Sequence, residues 1–188
     1  MTAALAADPT PHLRGTIVSA TPEKLTLQTS KGNVSVSIDA TTHISGIVPS
    51  SLDKIKAGTF VGIANVPGAD TSRALEVVVF PDAMKGTGLG DYPWDLSPAS
   101  ANGGAKASAM TNGTVKSTSN PKGLVLTVDY GKGEKKIQVP ASVPVVGVMP
   151  ADASKLVPGA HVFVATKKDA PQTAGFVAVG IGGAVPPM

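Results

Sequence analysis

Apolar and polar residues alternate with a period of two through much of the chain. Leu25 and Leu27, then Val34, Val36 and Ile38, are separated by Thr, Gln and Ser. That period puts one face of a strand into a core and the other into water. Lys31-Gly32-Asn33 between the two runs has the chemistry of a hairpin turn, since Gly and Asn tolerate positive φ. Ser51-Leu52-Asp53-Lys54-Ile55 predicts a single helical turn capped by its serine, and Gly58 ends it before the next strand.

The same succession occurs twice, about 100 residues apart. Gly15-Thr16-Ile17-Val18-Ser19 matches Gly113-Thr114-Val115-Lys116-Ser117, and Leu25–Thr29 matches Leu124–Val128. Val34–Ile38 matches Lys135–Val139, and Leu52–Gly58 matches Ala153–Gly159. Each copy then runs through Thr59–Ala64 or Ala160–Ala165 and ends in Ala74–Phe80 or Ala174–Gly180. Matches in one order indicate an internal duplication. The expected fold is all-β: two tandem small β-barrel domains, OB-like, because closure removes exposed strand edges. A sandwich is the alternative. The expected boundaries are an N-terminal segment at 1–12, a first domain at 13–81, a connector at 82–112 and a second domain at 113–188. Each copy should hold its own core. Leu25, Leu27, Val36, Ile38, Val61, Ile63, Val77 and Val79 form the first. Leu124, Leu126, Val128, Ile137, Val139, Val162, Val164 and Val177 form the second.

Composition narrows the class. Charged residues make up 15% of the chain against 42% apolar with regular alternation, so disorder is not expected. There is no cysteine, which removes thiol nucleophiles, thiolate metal sites and disulfides. Ala4-Leu5-Ala6 before a polar stretch reads as a signal-peptide cleavage site, which implies a periplasmic or extracellular protein. No apolar run approaches the ~18 residues of a membrane span. Net charge is −2 over residues 1–98 and +5 over residues 99–188. This is too diffuse for a nucleic-acid footprint, but it suits weak head-to-tail self-association.

The connector differs from both copies. Gly86, Gly88 and Gly90 lead into Asp91-Tyr92-Pro93-Trp94-Asp95, which holds the chain's only tryptophan and one of its two tyrosines. The glycines lack the Gly-Lys-Ser/Thr or Gly-x-Gly-x-x-Gly context of a phosphate loop and read as a tight turn. Tyr92 and Trp94 should anchor the loop against a barrel, with Trp94 buried and joining the two domains. Asp91, Tyr92, Trp94 and Asp95 are the candidate ligand-binding residues. Asp beside a turn is more often structural than chemical.

Gly15–Val18, Ala57–Gly62, Ala74–Val77, Lys85–Gly88, Pro93–Leu96, Met110–Gly113 and Val185–Met188 resemble a family of uncharacterised exported bacterial proteins with a domain of unknown function. Some of its members are automatically labelled metal-transporter permease components. The resemblance implies duplication, export and β-structure, and it transfers no catalytic residue. Asp91 stands where relatives carry a histidine after the glycine loop, which weakens a metal reading there.

His12, His43 and His161 have neither helical nor alternate-strand metal spacing. Serine-nucleophile motifs are absent. Exposed aromatic platforms for nucleic acid are not expected at 4% aromatics. The sequence therefore points to a non-enzymatic structural or interaction module of the envelope or exterior, able to self-assemble, with no cofactor, no metal site, no nucleic acid and no membrane span. The alternative is a periplasmic metal- or small-ligand-binding protein that uses the connector loop.

Overall fold

The computed structural model describes residues 12–96, 107–120 and 123–186. Among them are thirteen strands, three 3-10 turns and no α-helix. The first copy supplies β1 (His12–Thr21), β2 (Lys24–Thr29), β3 (Gly32–Ser37), β4 (His43–Pro49), a 3-10 turn (Leu52–Lys54), β5 (Phe60–Val66) and β6 (Ser72–Val79). A 3-10 turn (Asp82–Met84) and β7 (Gly90–Trp94) follow. The second copy repeats the order: β8 (Ser108–Ser119), β9 (Leu124–Asp129), β10 (Glu134–Val139), β11 (Val145–Pro150), a 3-10 turn (Ala153–Lys155), β12 (His161–Lys167) and β13 (Ala170–Gly180). The duplication thus extends to every element except β7 and the turn before it. His12, placed in the N-terminal segment by its sequence, opens β1, and Ser108–Asn112 of the connector open β8. The Ala-rich start of the chain and most of the Ala/Gly/Ser run lie outside the described residues.

The chain forms two compact units. One is continuous and spans Ile47–Met149; the other is split between Met1–Gly46 and Pro150–Pro186. In the split unit, β12 pairs with β13 and β1, β1 with β2, and β2 with β3, all antiparallel. A parallel bridge from Ser37 to Thr173 returns the ladder from β3 to β13. In the continuous unit, β6 pairs with β5, β5 with β8, β8 with β9 and β9 with β10. Parallel pairs Ile137–Ser72 and Gln138–Arg73 close β10 onto β6. Both ladders return to their first strand, so these are closed five-stranded barrels rather than the open sheets of a sandwich.

The cores correct the expectation that each copy folds on itself. Leu25, Leu27, Val36 and Ile38 pack with Val162, Val164 and Val177 of the other copy, together with Ile17, Leu156 and Val179. Leu126, Val128, Ile137 and Val139 pack with Val61, Ile63 and Val77, with Leu124 and Val79 at the margin. Each barrel takes three strands from one copy and two from the other. The repeat-equivalent hydrogen bonds display the exchange directly. Ile17 N donates to Ala160 O (2.9 Å) and Gly159 N to Ile17 O (2.8 Å). In the other barrel, Val115 N donates to Thr59 O and Gly58 N to Val115 O, both at 2.8 Å.

The physical reason lies between the third and fourth barrel strands. The chain crosses from one unit to the other at Gly46/Ile47 and back at Met149/Pro150. Both crossings fall within a Gly-x-x-Pro segment, Gly46-Ile47-Val48-Pro49 and Gly147-Val148-Met149-Pro150. Proline forces the residue before it toward extended backbone and cannot donate a hydrogen bond to a tight return. An extended run of seven residues advances about 23 Å at ~3.3 Å per residue, whereas a helix of the same length advances about 10 Å. β4 therefore carries the chain onward instead of folding it back.

Local details follow the repeat as well. Gly15 and Gly113 lie where a carbonyl of the neighbouring strand, Gln28 O or Asp129 O, comes against the backbone, so an added Cβ would collide with main chain. Each expected helical turn is present as one 3-10 turn, but the first lacks the expected capping bond from Ser51, whereas Asp152 accepts from Ser154 N in the second.

Within the split barrel, the turn after β3 ties the two halves of the chain together. Lys167 Nζ donates to Asp39 Oδ2 (2.7 Å) and Thr41 Oγ1 (2.8 Å), and Thr42 Oγ1 donates to Ala174 O (2.8 Å). The hydrogen bond from Lys167, and those from Thr41, hold the exposed Asp39 carboxyl well below its ordinary value of 3.8. A depressed folded-state pKa gives stability that is present above the unfolded value and lost as pH falls through the folded one. Chemical denaturation from neutral to strongly acid pH should show stability declining below pH ~4, with a shallower decline in Asp39→Asn. An unchanged acid limb in that variant would show that the turn carries none of the linkage. Gly15→Ala and Gly113→Ala should each lower stability by about 1–3 kcal/mol by overpacking, read as a shift of the urea midpoint at constant slope.

Candidate functional site

β7 adds to β8 within the continuous unit. Asp91 pairs with Thr111, Tyr92 with Met110, and Trp94 with Ser108. It occupies the stretch of β8 preceding the residues, Thr114 to Ser119, that pair with β9. Alternation along β7 sorts the candidate residues onto two faces.

Asp91 belongs to the face that continues the barrel interior. Its Oδ1 accepts from Thr111 Oγ1 (2.6 Å), and Lys135 Nζ donates to both carboxylate oxygens (2.8 and 2.9 Å). The side chains of Lys135 and Asp91 are only 17% and 26% exposed, so water screens this pair less than a surface pair. Asn65, wholly buried on β5, donates from Nδ2 to Thr111 Oγ1 (2.9 Å) and to the carbonyls of Ile63 and Ala109 (2.9 and 3.2 Å). The result is a polar chain, Asn65 to Thr111 to Asp91 to Lys135, ending the apolar core of one barrel. Sequence reasoning passed over three of its four members. The signal was present in Lys135 and Asn65, whose parity matches the inward Ile137/Val139 and Val61/Ile63.

Tyr92 and Trp94 occupy the other face. Their rings meet edge-on at 6.3 Å between centroids. Tyr92 Oη accepts from Asn112 Nδ2 (3.1 Å), and burial of the phenol raises its pKa. Asn112 is the hub of the glycine loop. An added Cβ at Gly88 would stand 2.8 Å from Asn112 Nδ2, and one at Gly62 would stand 2.6 Å from its Oδ1. Gly86 and Gly88 also hold φ of +91° and +61°, a region unfavourable to other residues. The loop needs glycine to close over this amide, and a strand, not a helix, follows it. Trp94 is half-buried inside the continuous unit, and its carbonyl accepts from Ser108 Oγ (3.0 Å). Asp95 is exposed just beyond β7.

Tyr92 also borders a groove of about 460 Å³, lined by Leu89, Gly90, Asp91, Tyr92, Tyr130, Gly131 and Lys132. Both tyrosines of the chain face it. Leu89 is half exposed at its rim and rests against Gly131. A larger cavity of about 710 Å³ lies around Leu52, Arg73, Gln138 and Val139, and its polar lining groups are exposed.

The histidines are not brought together. Thr16 Oγ1 lies 3.3 Å from His161 Nδ1, His12 packs against Phe163 at 5.1 Å, and His43 is exposed. No group of three His, Cys, Asp or Glu side chains among the described residues has the arrangement of a metal site. No helix among them is long and apolar enough to cross a membrane.

The chain matches no family model, no curated protein and no solved structure.

A double-mutant cycle on Asp91→Asn and Lys135→Met should return a coupling of about 1–2 kcal/mol, because the pair is half-desolvated and bidentate. Coupling below ~0.3 kcal/mol would place the pair among surface bridges of no consequence.

Proposed function

We propose that this protein is a non-catalytic exported module of the bacterial envelope or exterior that works by contact with other proteins, further copies of itself included. The observation that best supports this reading is the fate of Asp91. Its carboxylate, the acid best placed to serve a ligand in the connector loop, accepts from Thr111 and from Lys135 and is committed to the barrel end. A general base needs a free lone pair within reach of a substrate proton, and a metal ligand needs neighbours that can complete a coordination shell. The strand order within each unit supports an OB-like barrel. Counting from β8, the order is first, second, third, fifth, fourth and back to the first, with a parallel pair between third and fifth. The same order holds from β1.

The groove beside Tyr92 and Tyr130 favours a second reading, a small-ligand site. Its volume lies within the range of ligand pockets, and phenol rings beside an exposed leucine suit a cyclic ligand with an apolar face, such as a sugar ring.

Light scattering across chain concentration, with thermal shift against a panel of divalent metals and of sugars, separates the readings. The interaction module shows mass growing with concentration and no metal or sugar shift. A shift of several degrees with one ligand, lost in Tyr92→Ala or Tyr130→Ala but kept in Asp95→Asn, would establish the small-ligand reading instead.

A further inference from the structure

The two halves of the split barrel come from opposite ends of the described chain and are joined only through the continuous unit. β1, β2 and β3 supply Ile17, Leu25, Leu27 and Val36, with Ile38 just beyond β3; β12 and β13 supply Val162, Val164, Val177 and Val179. Neither half can bury its inner face alone. We infer that this barrel is also completed between chains, β12–β13 of one copy closing β1–β3 of a second copy. The inference rests on the self-association proposed above and names its mode.

Three observations carry it. First, the contacts that close the barrel join strands and turns rather than a fixed chain connection: five antiparallel pairs from His12–Ala165 to Thr16–His161, the parallel bridge Ser37–Thr173, β4 beside β13, and the bonds of Ile17, Lys167 and Thr42 already described. A second copy supplies the same strands in the same register. Closure within one chain is therefore favoured by the effective concentration that the intervening segment maintains. Second, the fold already uses this substitution internally. Strands of one repeat complete the barrel begun by the other at both positions, so the pairing does not require that the partners be sequence neighbours. Third, the continuous unit holds all five of its barrel strands within Ile47–Met149, so none of its own ladder pairs has to break for the split barrel to open. A chain that gives β12–β13 to one neighbour and receives them from another leaves both contacts unlike, so the assembly grows head-to-tail.

The absence of cysteine makes the test unambiguous. Thr16 and His161 are Cα partners whose side chains touch at 3.3 Å. The double variant Thr16→Cys/His161→Cys should form an intrachain disulfide at low concentration. The single variants Thr16→Cys and His161→Cys, denatured together, refolded at high concentration and oxidised, should give a covalent species of twice the chain mass. Peptide mapping should join position 16 of one chain to position 161 of the other. The same variants mixed when already folded should give little of it, because exchange requires opening the barrel. Such dimers should resist added salt, since an apolar core holds them. Larger species without the 16-to-161 link would overturn exchange and leave surface self-association standing. A chain that is monomeric at every concentration, refolded or not, would overturn both. Failure of the double variant to form its intrachain disulfide would overturn the β1–β12 pairing on which the inference depends.

Discussion

A curved sheet of three strands has an inner face that it cannot cover by itself. β1–β3 and β8–β10 each present four or five apolar side chains inward, and each is completed by two strands from the other repeat. Burial of apolar surface is the main favourable term in folding, so this closure is the condition for everything else in the structure. The reciprocal bonds of Ile17 and Val115 seat the covering strands, and Gly15 and Gly113 let β2 and β9 of the same repeat approach closely. Replacing Leu27 or Leu126, both fully buried, removes packing from one closed barrel.

The two barrels are not equivalent at their ends. Only the continuous unit receives β7, and with it Asp91. Lys135 stands at an inward position where the repeat partner has Val34, and Asn65 stands where the partner has Thr166. A lysine on the inner face needs a counter-charge, and the connector delivers one. The insertion that sequence inspection marks as the chemically interesting segment thus serves first to neutralise a cation at the end of a barrel. The groove between Leu89 and Lys132 is the part of it left facing outward.

Strand type and the succession of strands along the chain were legible because alternation and turn chemistry act locally. Leu25/Leu27 and Leu124/Leu126 announced inward faces, and Gly32 and Gly131 announced the hairpins, both with positive φ in the structure. Which strands share a core was not legible. The two copies carry the same period, so Val61 and Val162 are equally good partners for Leu27 by pattern alone. The deciding information was in Gly46-Ile47-Val48-Pro49 and Gly147-Val148-Met149-Pro150, extended segments that pass the chain onward. Asp91, Tyr92, Trp94 and Asp95 were found by rarity and composition. Their partners Thr111, Asn112 and Lys135 were missed because they lie on repeat strands and only geometry reveals their contacts.

The central claim is that each barrel is closed by strands of the other repeat. Scalar couplings across hydrogen bonds in a uniformly labelled sample test it most directly, because they connect a donor amide to one acceptor carbonyl. The exchanged fold predicts coupling from the Ile17 amide to the Ala160 carbonyl and from the Val115 amide to the Thr59 carbonyl. Coupling of Ile17 to Thr59 and of Val115 to Ala160 would mean that each repeat closes its own barrel, and would contradict the account.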